Sequence, residues 1–405
     1  MAPTAGERGG GKVVGLRGRP PMTARQLSPE LPQRLLSHRD VGLSRAMEPF
    51  SGIVTGEGPI EGLFPLGAAG APTDALVKAG SDLLEGLGET LRAAASFPVD
   101  APEWRTWCNV HPFMLRHGAL IEAMDESERE LSFRLLGAAF SERGYRTARD
   151  VMRLNERLRE ITGSDQEYGE WLYWVSVMGT PSTTEPWGFQ VDGHHLNLNV
   201  FCLGEQLVAT PSFMGSEPVM ADAGKYAGTR VFADEEAEGL RLAQSLTSAQ
   251  AAKAVVPEPV PAEVFAIAFH DNLRLDYEGI AFGELSAAQQ EQLLEVISVY
   301  VNRIQPAHAE VKLAEVRAHL EQTHFSWRGG REDDSAFYYR VHSPVILIEF
   351  DHEPGVAFDN DDPSRNHIHT IVRTPNGNDY GKDLLRQHYL RDHVPAKGGA
   401  AHRSG

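Results

Sequence analysis

The run Asp192-Gly193-His194-His195-Leu196-Asn197-Leu198-Asn199 lies within a longer segment, residues 188–201, in which polar and apolar residues alternate. Alternation of period two marks a strand with one buried face, because successive side chains leave a pleated backbone on opposite sides. Read as one strand, it places His195, Asn197 and Asn199 on one face and His194, Leu196 and Leu198 on the other. The leucine face belongs to a core. The asparagine face belongs to a site or to solvent. Gly193 is where a bulge sits most easily, and one there leaves the residues after it in register.

Further strand-like segments surround this one, at residues 172–177, 206–210, 337–341, 345–350 and 367–372, all rich in Val, Ile, Phe and Tyr. In residues 345–351, Ile346, Ile348 and Phe350 face one way, while Glu349 and Asp351 face the other. His367 and His369 share a face, opposite Ile368 and Val372. Helical patterns lie between the strands. Leu76, Leu83, Leu84, Leu87 and Leu91 follow helical spacing over residues 73–95, and residues 127–141 and 147–162 read similarly. Asp125 supplies an N-cap to the first of these two. Thr247 with Gln250, and Ser286 with Gln289, read as capping boxes, and this recurrence suggests a repeated helical element. Strands mixed with helices predict an α+β fold, with a mainly antiparallel sheet flanked by helices.

Composition bounds the rest. The chain has 405 residues, 41% of them hydrophobic and 23% charged, as an ordinary globular protein does. A net charge of −18 argues against a nucleic-acid partner, since phosphate binding needs clustered Lys and Arg. No segment approaches the roughly 18 apolar residues of a membrane span. The two cysteines, Cys108 and Cys202, are isolated and apolar-flanked, which points to buried thiols in a reducing, cytoplasmic setting. Residues 1–45 hold eight Lys or Arg against three acids, with frequent Gly and Pro. They read as a disordered basic segment, either a transit peptide or a stretch ahead of a later start at Met22 or Met47. One domain over residues 46–395 follows, then a disordered tail over 396–405.

The chemistry concentrates in histidines and carboxylates. If the strands of Glu349 and His369 pair, two imidazoles and two carboxylates converge on one side of a sheet. A His-x-His strand with nearby acids suits Fe, Zn, Mn or Cu and leaves positions open for substrate or water. The expected metal ligands are His195, His367 and His369, with Glu349 or Asp351. Glu185 or His194 would serve as acid/base or support a ligand. Asn197, Asn199, Trp187, Tyr339 and Arg340 are the expected contacts to a small-molecule substrate, and Arg373 suits a carboxylate in the same way. The competing reading of the histidines is structural, as polar groups that only order the sheet. His111, His308, His319, His324, His388 and His393 read as structural or solvated. GxGxxG, GxxxxGK[ST], GxSxG and HExxH are all absent, which removes support from nucleotide chemistry and the common hydrolase nucleophiles. The function expected is a metal-dependent enzyme, an oxidoreductase ahead of a hydrolase, because imidazole-rich sites suit redox-active iron or copper. The alternative is a non-enzymatic binding protein with a histidine-lined pocket and an aromatic groove of Trp171, Tyr173, Trp174, Trp187 and Trp327.

Several of these segments, taken in order, resemble the DUF3500 family of unknown function. They are Phe140-Ser141-Glu142-Arg143-Gly144-Tyr145, Gly179 with Pro181-Ser182, Glu185-Pro186-Trp187-Gly188, the 192–199 run, Thr210-Pro211-Ser212-Phe213, Tyr338-Tyr339-Arg340, Leu347-Ile348-Glu349-Phe350-Asp351 and Asn366-His367-Ile368-His369. The resemblance spans about residues 45–393 and carries no established activity. The stretch between Asp351 and Asn366, with His352, Glu353, Asp359, Asp361 and Asp362, departs from the pattern by its length and reads as an insertion able to cover the site.

Overall fold

Each alternating segment finds a hydrogen-bonded neighbour in the computed structural model of the chain, which describes residues 33–110, 117–165, 167–358 and 360–392. The strands are β1 (Ser96–Phe97), β2 (Ala119–Leu120), β3 (Tyr173–Met178), β4 (Trp187–Gly193), β5 (Leu196–Leu203), β6 (Gln206–Val208), β7 (Ser212–Ser216), β8 (Ile280–Ala281), β9 (His324–Gly329), β10 (Phe337–His342), β11 (Leu347–Pro354) and β12 (Pro363–Arg373). They form one sheet in the order β1-β3-β4-β5-β7-β12-β11-β10-β9-β8, with β2 beside β3 and β6 beside β5. Only the β1–β3 pair is parallel. The α+β class and the mainly antiparallel sheet are as the sequence predicts.

The strand order is palindromic about the β7–β12 seam. A short strand, two helices and a meander run up to the seam as β2, α4 (Glu126–Ala139), α5 (Glu142–Thr162), β3, β4, β5 and β7. The same succession follows as β8, α8 (Ala287–Val301), α9 (Pro306–Ala318), β9, β10, β11 and β12. The hairpins agree in register: Gln190 faces Asn199 and Asp192 faces Asn197 in the first, and Arg340 faces Glu349 and His342 faces Leu347 in the second. Of the capping signals, those of α4 and α8 occupy matching places in the two halves, whereas that of α7, which had suggested a repeated element with α8, lies outside the repeat.

The remaining helices are α1 (Gln33–Ala46), α2 (Asp74–Gly86), α3 (Glu89–Ala95), α6 (Ala233–Ser245), α7 (Ser248–Ala254) and α10 (Lys382–Asp392). Complete capping boxes start α4 at Asp125, α7 at Thr247 and α8 at Ser286. The single helix expected over 73–95 breaks between Gly86 and Gly88, which flank a Leu87 in extended conformation; glycine is a poor helix former. Residues 33–45, expected without regular structure, lie within α1. The rest of the expected basic segment, residues 1–32, the tail, His111, Asp359 and His393 lie outside the described residues. Among those described, no helix is long and apolar enough to cross a membrane.

The two faces of the sheet have different covers. Leu196, Leu198, Ile346, Ile348, Phe350 and Tyr339 join helical residues such as Leu135, Val151, Leu293 and Ile297 in the main core. Phe213, Leu347 and Ile371 point the other way and pack under irregular segments that contribute Ile53, Trp104, Trp107, Val264, Ala266 and Tyr380. Arg373 holds this second cover down. It is fully buried, ion-paired to Asp271 and Asp379, and donates to the Ala266 carbonyl. The histidines lie on this second face.

Candidate metal centre

The segment over 188–201 departs from its expected form. Gly193 pairs with Leu196, so His194 and His195 are the two-residue loop of a hairpin, not part of a continuous strand. His195 has φ +60°, a left-handed conformation uncommon for a residue with a Cβ. The loop is held from both sides: His195 donates its N–H to Asn109 O at 2.9 Å, and its carbonyl accepts from Gly215 N at 2.7 Å. Through Gly215 the loop docks on β7, which is paired with β12.

On β12, His367 and His369 are two residues apart and so share a face. Their Nε2 atoms are 3.0 Å apart, and His195 Nε2 is 3.2 Å from His367 Nε2. Three imidazole nitrogens thus meet at one point, with all three residues buried. Three nitrogens bound at about 2.0–2.1 Å to one tetrahedral ion stand roughly 3.3 Å apart, close to this spacing. Three facing lone pairs cannot satisfy one another without shared protons or a cation.

The far sides of the rings are anchored. His367 Nδ1 donates to Pro354 O at 2.8 Å, which leaves Nε2 as the acceptor directed at the site. His369 Nδ1 is 2.8 Å from Glu263 Oε1 and 3.2 Å from Glu353 Oε1. His195 stacks on His194 with ring centroids 3.9 Å apart, and His194 Nδ1 lies 2.9 Å from Asn155 Oδ1 on α5. Gly215 lets this packing close: a Cβ there would stand 2.7 Å from His369 Cδ2 and 3.4 Å from His195 Cδ2.

Burial and charge set the protonation. Burial, reinforced by His369, pulls the His367 imidazole below its usual range against the opposing charge of Glu217, and so keeps it neutral. Burial also acts against protonating His369, but Glu263 and Glu353 outweigh it and push the ring up to about 10. Burial, with the like charges of Glu353 and Glu263, drives Asp351 well above the carboxylate range. Burial and Glu263 raise Glu353 to about 7.

The family model described as a protein of unknown function (DUF3500) matches residues 69–382. The chain belongs to the DUF3500 family. No curated protein and no solved structure matches it. The matched DUF3500 region contains every strand of the sheet and all three converging histidines.

The other expected site residues of this DUF3500 chain lie outside the three-imidazole group. Glu349 directs both oxygens to the Phe265 and Ala266 amides at 2.8 Å each and accepts from Tyr338 Oη. Asp351 pairs across the strands with His369 but belongs to neither converging group. Asn197 and Asn199 are fully buried in a polar ladder: Gln190 donates to Asn199 at 2.6 Å, Asn199 to Asn197 at 2.7 Å, and Asn197 to Asp192 at 3.3 Å. Tyr339 is on the helical face, where it donates to Glu235 O at 2.9 Å and meets Tyr300 Oη at 2.6 Å. Arg340 pairs with Glu278 at 2.7 Å. Trp187 is buried in the main core, as are Tyr173 and Trp327, so they line no open groove. Glu185 is exposed at the far end of β4, roughly 20 Å from the His195 loop at 3.3 Å per residue. His308 and His388, read as solvated, are buried.

Glu263 and Glu353 escaped the sequence reading. Glu353 continues the Glu349/Asp351 alternation and had that signal; it was lost because the strand was expected to stop near Asp351, whereas β11 runs on to Pro354. The expected insertion is thus partly the extended β11–β12 hairpin. Glu263 lies in an irregular proline-rich stretch with no period to read.

Proposed function

We propose that this DUF3500 chain is a metal-dependent enzyme acting on a small molecule, its ion held by His195, His367 and His369, with oxidation preferred to hydrolysis. The observation that carries this is the meeting of three buried Nε2 atoms, those of His195 and His369 within 3.2 Å of that of His367, on rings whose other sides are anchored. An all-imidazole donor set suits iron, copper or zinc and leaves coordination positions for water or substrate. A bound ion would supply Lewis acidity or redox capacity. His194 steadies the His195 ring by stacking and its bond to Asn155, and Pro354 O and Glu263 steady the other two rings. Glu263, 2.8 Å from His369 Nδ1, and Glu353, 3.2 Å from it, are the carboxylates placed to hold or move a proton.

Metal analysis of the full-length protein purified without a histidine tag tests the reading. At least one equivalent of iron, copper or zinc per chain is expected, and His369→Ala should lose it. Less than about a tenth of an equivalent, with no rebinding after chelation, would sink the proposal. Iron or copper at that stoichiometry supports oxidation; zinc alone turns the reading to hydrolysis.

A further inference from the structure

The three-imidazole centre uses Nε2 of His369 and leaves Nδ1 free for something else. Nδ1 faces a second group of ligand-type atoms, the Glu263 and Glu353 carboxylates, close enough together to hold an ion. Asp351 stands against this group. It is fully buried, no N–H or hydroxyl donor reaches either of its oxygens, and its carboxyl faces that of Glu353. Oε1 of Glu353 likewise lacks a well-formed hydrogen bond. A buried carboxylate with both oxygens unmet is costly unless a proton or a cation meets it. The neighbouring charges are satisfied elsewhere. Glu349 is held by two backbone amides and a tyrosine hydroxyl, and Arg328 and Arg340 both pair with Glu278. Among the described residues, no Lys or Arg forms an ion pair with Asp351, Glu353 or Glu263.

We propose that Asp351, Glu353 and Glu263, with His369 Nδ1, hold a second divalent cation, so that the His369 ring bridges two ions as an imidazolate. This rests on the three-imidazole reading for its first ion. Charge supports the pairing. Three carboxylates and an imidazolate carry −4, which two divalent ions cancel, whereas one ion beside a neutral His369 ring leaves −1 in a buried site. On loading, His369 gives up both ring protons, and Asp351 and Glu353 any proton they share, all to solvent. The donors of the second site, one imidazole and carboxylates, suit zinc or manganese, while the all-imidazole site suits copper, iron or zinc. Glu263 is the partly exposed ligand, so entry from solvent runs past it.

The test is metal stoichiometry on the full chain. Protein stripped with a chelator is titrated with zinc against a chromophoric competitor, and separately with copper(II) followed by electron paramagnetic resonance. Wild type should bind two zinc ions, and Asp351→Asn with Glu353→Gln should bind one. The copper signal should grow to the first equivalent and then fall, because an imidazolate bridge couples the two spins. One zinc in wild type overturns the second site and leaves the three-imidazole centre standing. None overturns both. Two coppers with independent, additive signals overturn the bridge. If the double variant does not fold, the isosteric Asp351→Asn alone must lose the second equivalent, and the wild-type count decides in either case.

Discussion

Gly215 and His342 are positions at which one side chain, or its absence, decides a measurable property. Any side chain at 215 must share space with the His369 ring. Gly215→Ala should therefore move one ligand by a few tenths of an ångström and weaken metal binding at least tenfold, measured by chelator competition. Unchanged affinity would mean that the three rings do not share an ion. His342 is buried beside Arg340 and His324, with neither ring nitrogen in a well-formed hydrogen bond. Burial first, then those two charges, pull its pKa from 6.5 to about 3. Above pH 6.5 the ring is neutral folded and unfolded, so the group leaves stability unchanged. Below it, the unfolded chain takes up a proton that the folded chain refuses until about pH 3, so stability falls with pH in that window. At 1.36 kcal/mol per unit, the loss by pH 4.5 is about 2–3 kcal/mol. His342→Leu should remove that part of the pH dependence in denaturant titrations at pH 7 and 4.5. Equal losses in variant and wild type would show that the ring finds a partner.

At the scale of elements, the capping boxes do more than start helices. Gln250 and Gln289 each close a box, and their side-chain amides also bond each other, at 2.8 and 3.0 Å. The N-terminus of α7 is thereby tied to that of α8. Gln250→Ala and Gln289→Ala should each cost about 1 kcal/mol, and the double variant should cost less than the sum, by roughly 0.5–1 kcal/mol in a double-mutant cycle. Strict additivity would mean that the amide pair contributes nothing. The boxes were legible because Ser or Thr followed three residues later by Gln is a local chemical pattern. The tie between them was not, because it depends on how two helices pack. The His194-His195 turn shows the opposite failure. Its flanks alternate so regularly that a strand reads straight through, and only the pairing of Gly193 with Leu196 reveals the hairpin.

Among the described residues the strands form a single sheet that crosses the seam between the two repeats, and the proposed centre crosses the same seam. His195 comes from the first half, and His367 and His369 from the second. Unfolding should therefore be one cooperative transition, and metal should raise its midpoint in proportion to binding. An excess of free ion at 100 times Kd adds about 2.7 kcal/mol. His369→Ala should abolish the shift, whatever it does to the metal-free melting temperature. Two resolved calorimetric peaks, or an equal metal shift in the variant, would contradict a shared sheet with a shared site.

By itself the sequence determined the class of fold, the faces of β11 and β12, the caps and the placing of His367 and His369 on one face. All of these follow from local periodicity and local hydrogen bonding, which act over a few residues. Only the tertiary structure decided that Glu349 is spent on the Phe265 and Ala266 amides, that Tyr339 faces the helices, and that Glu263 reaches His369 from 106 residues away. Partners so distant in the chain leave no period in it. They are chosen by which irregular segment covers the second face of the sheet, and that choice is made by packing and charge in the assembled molecule.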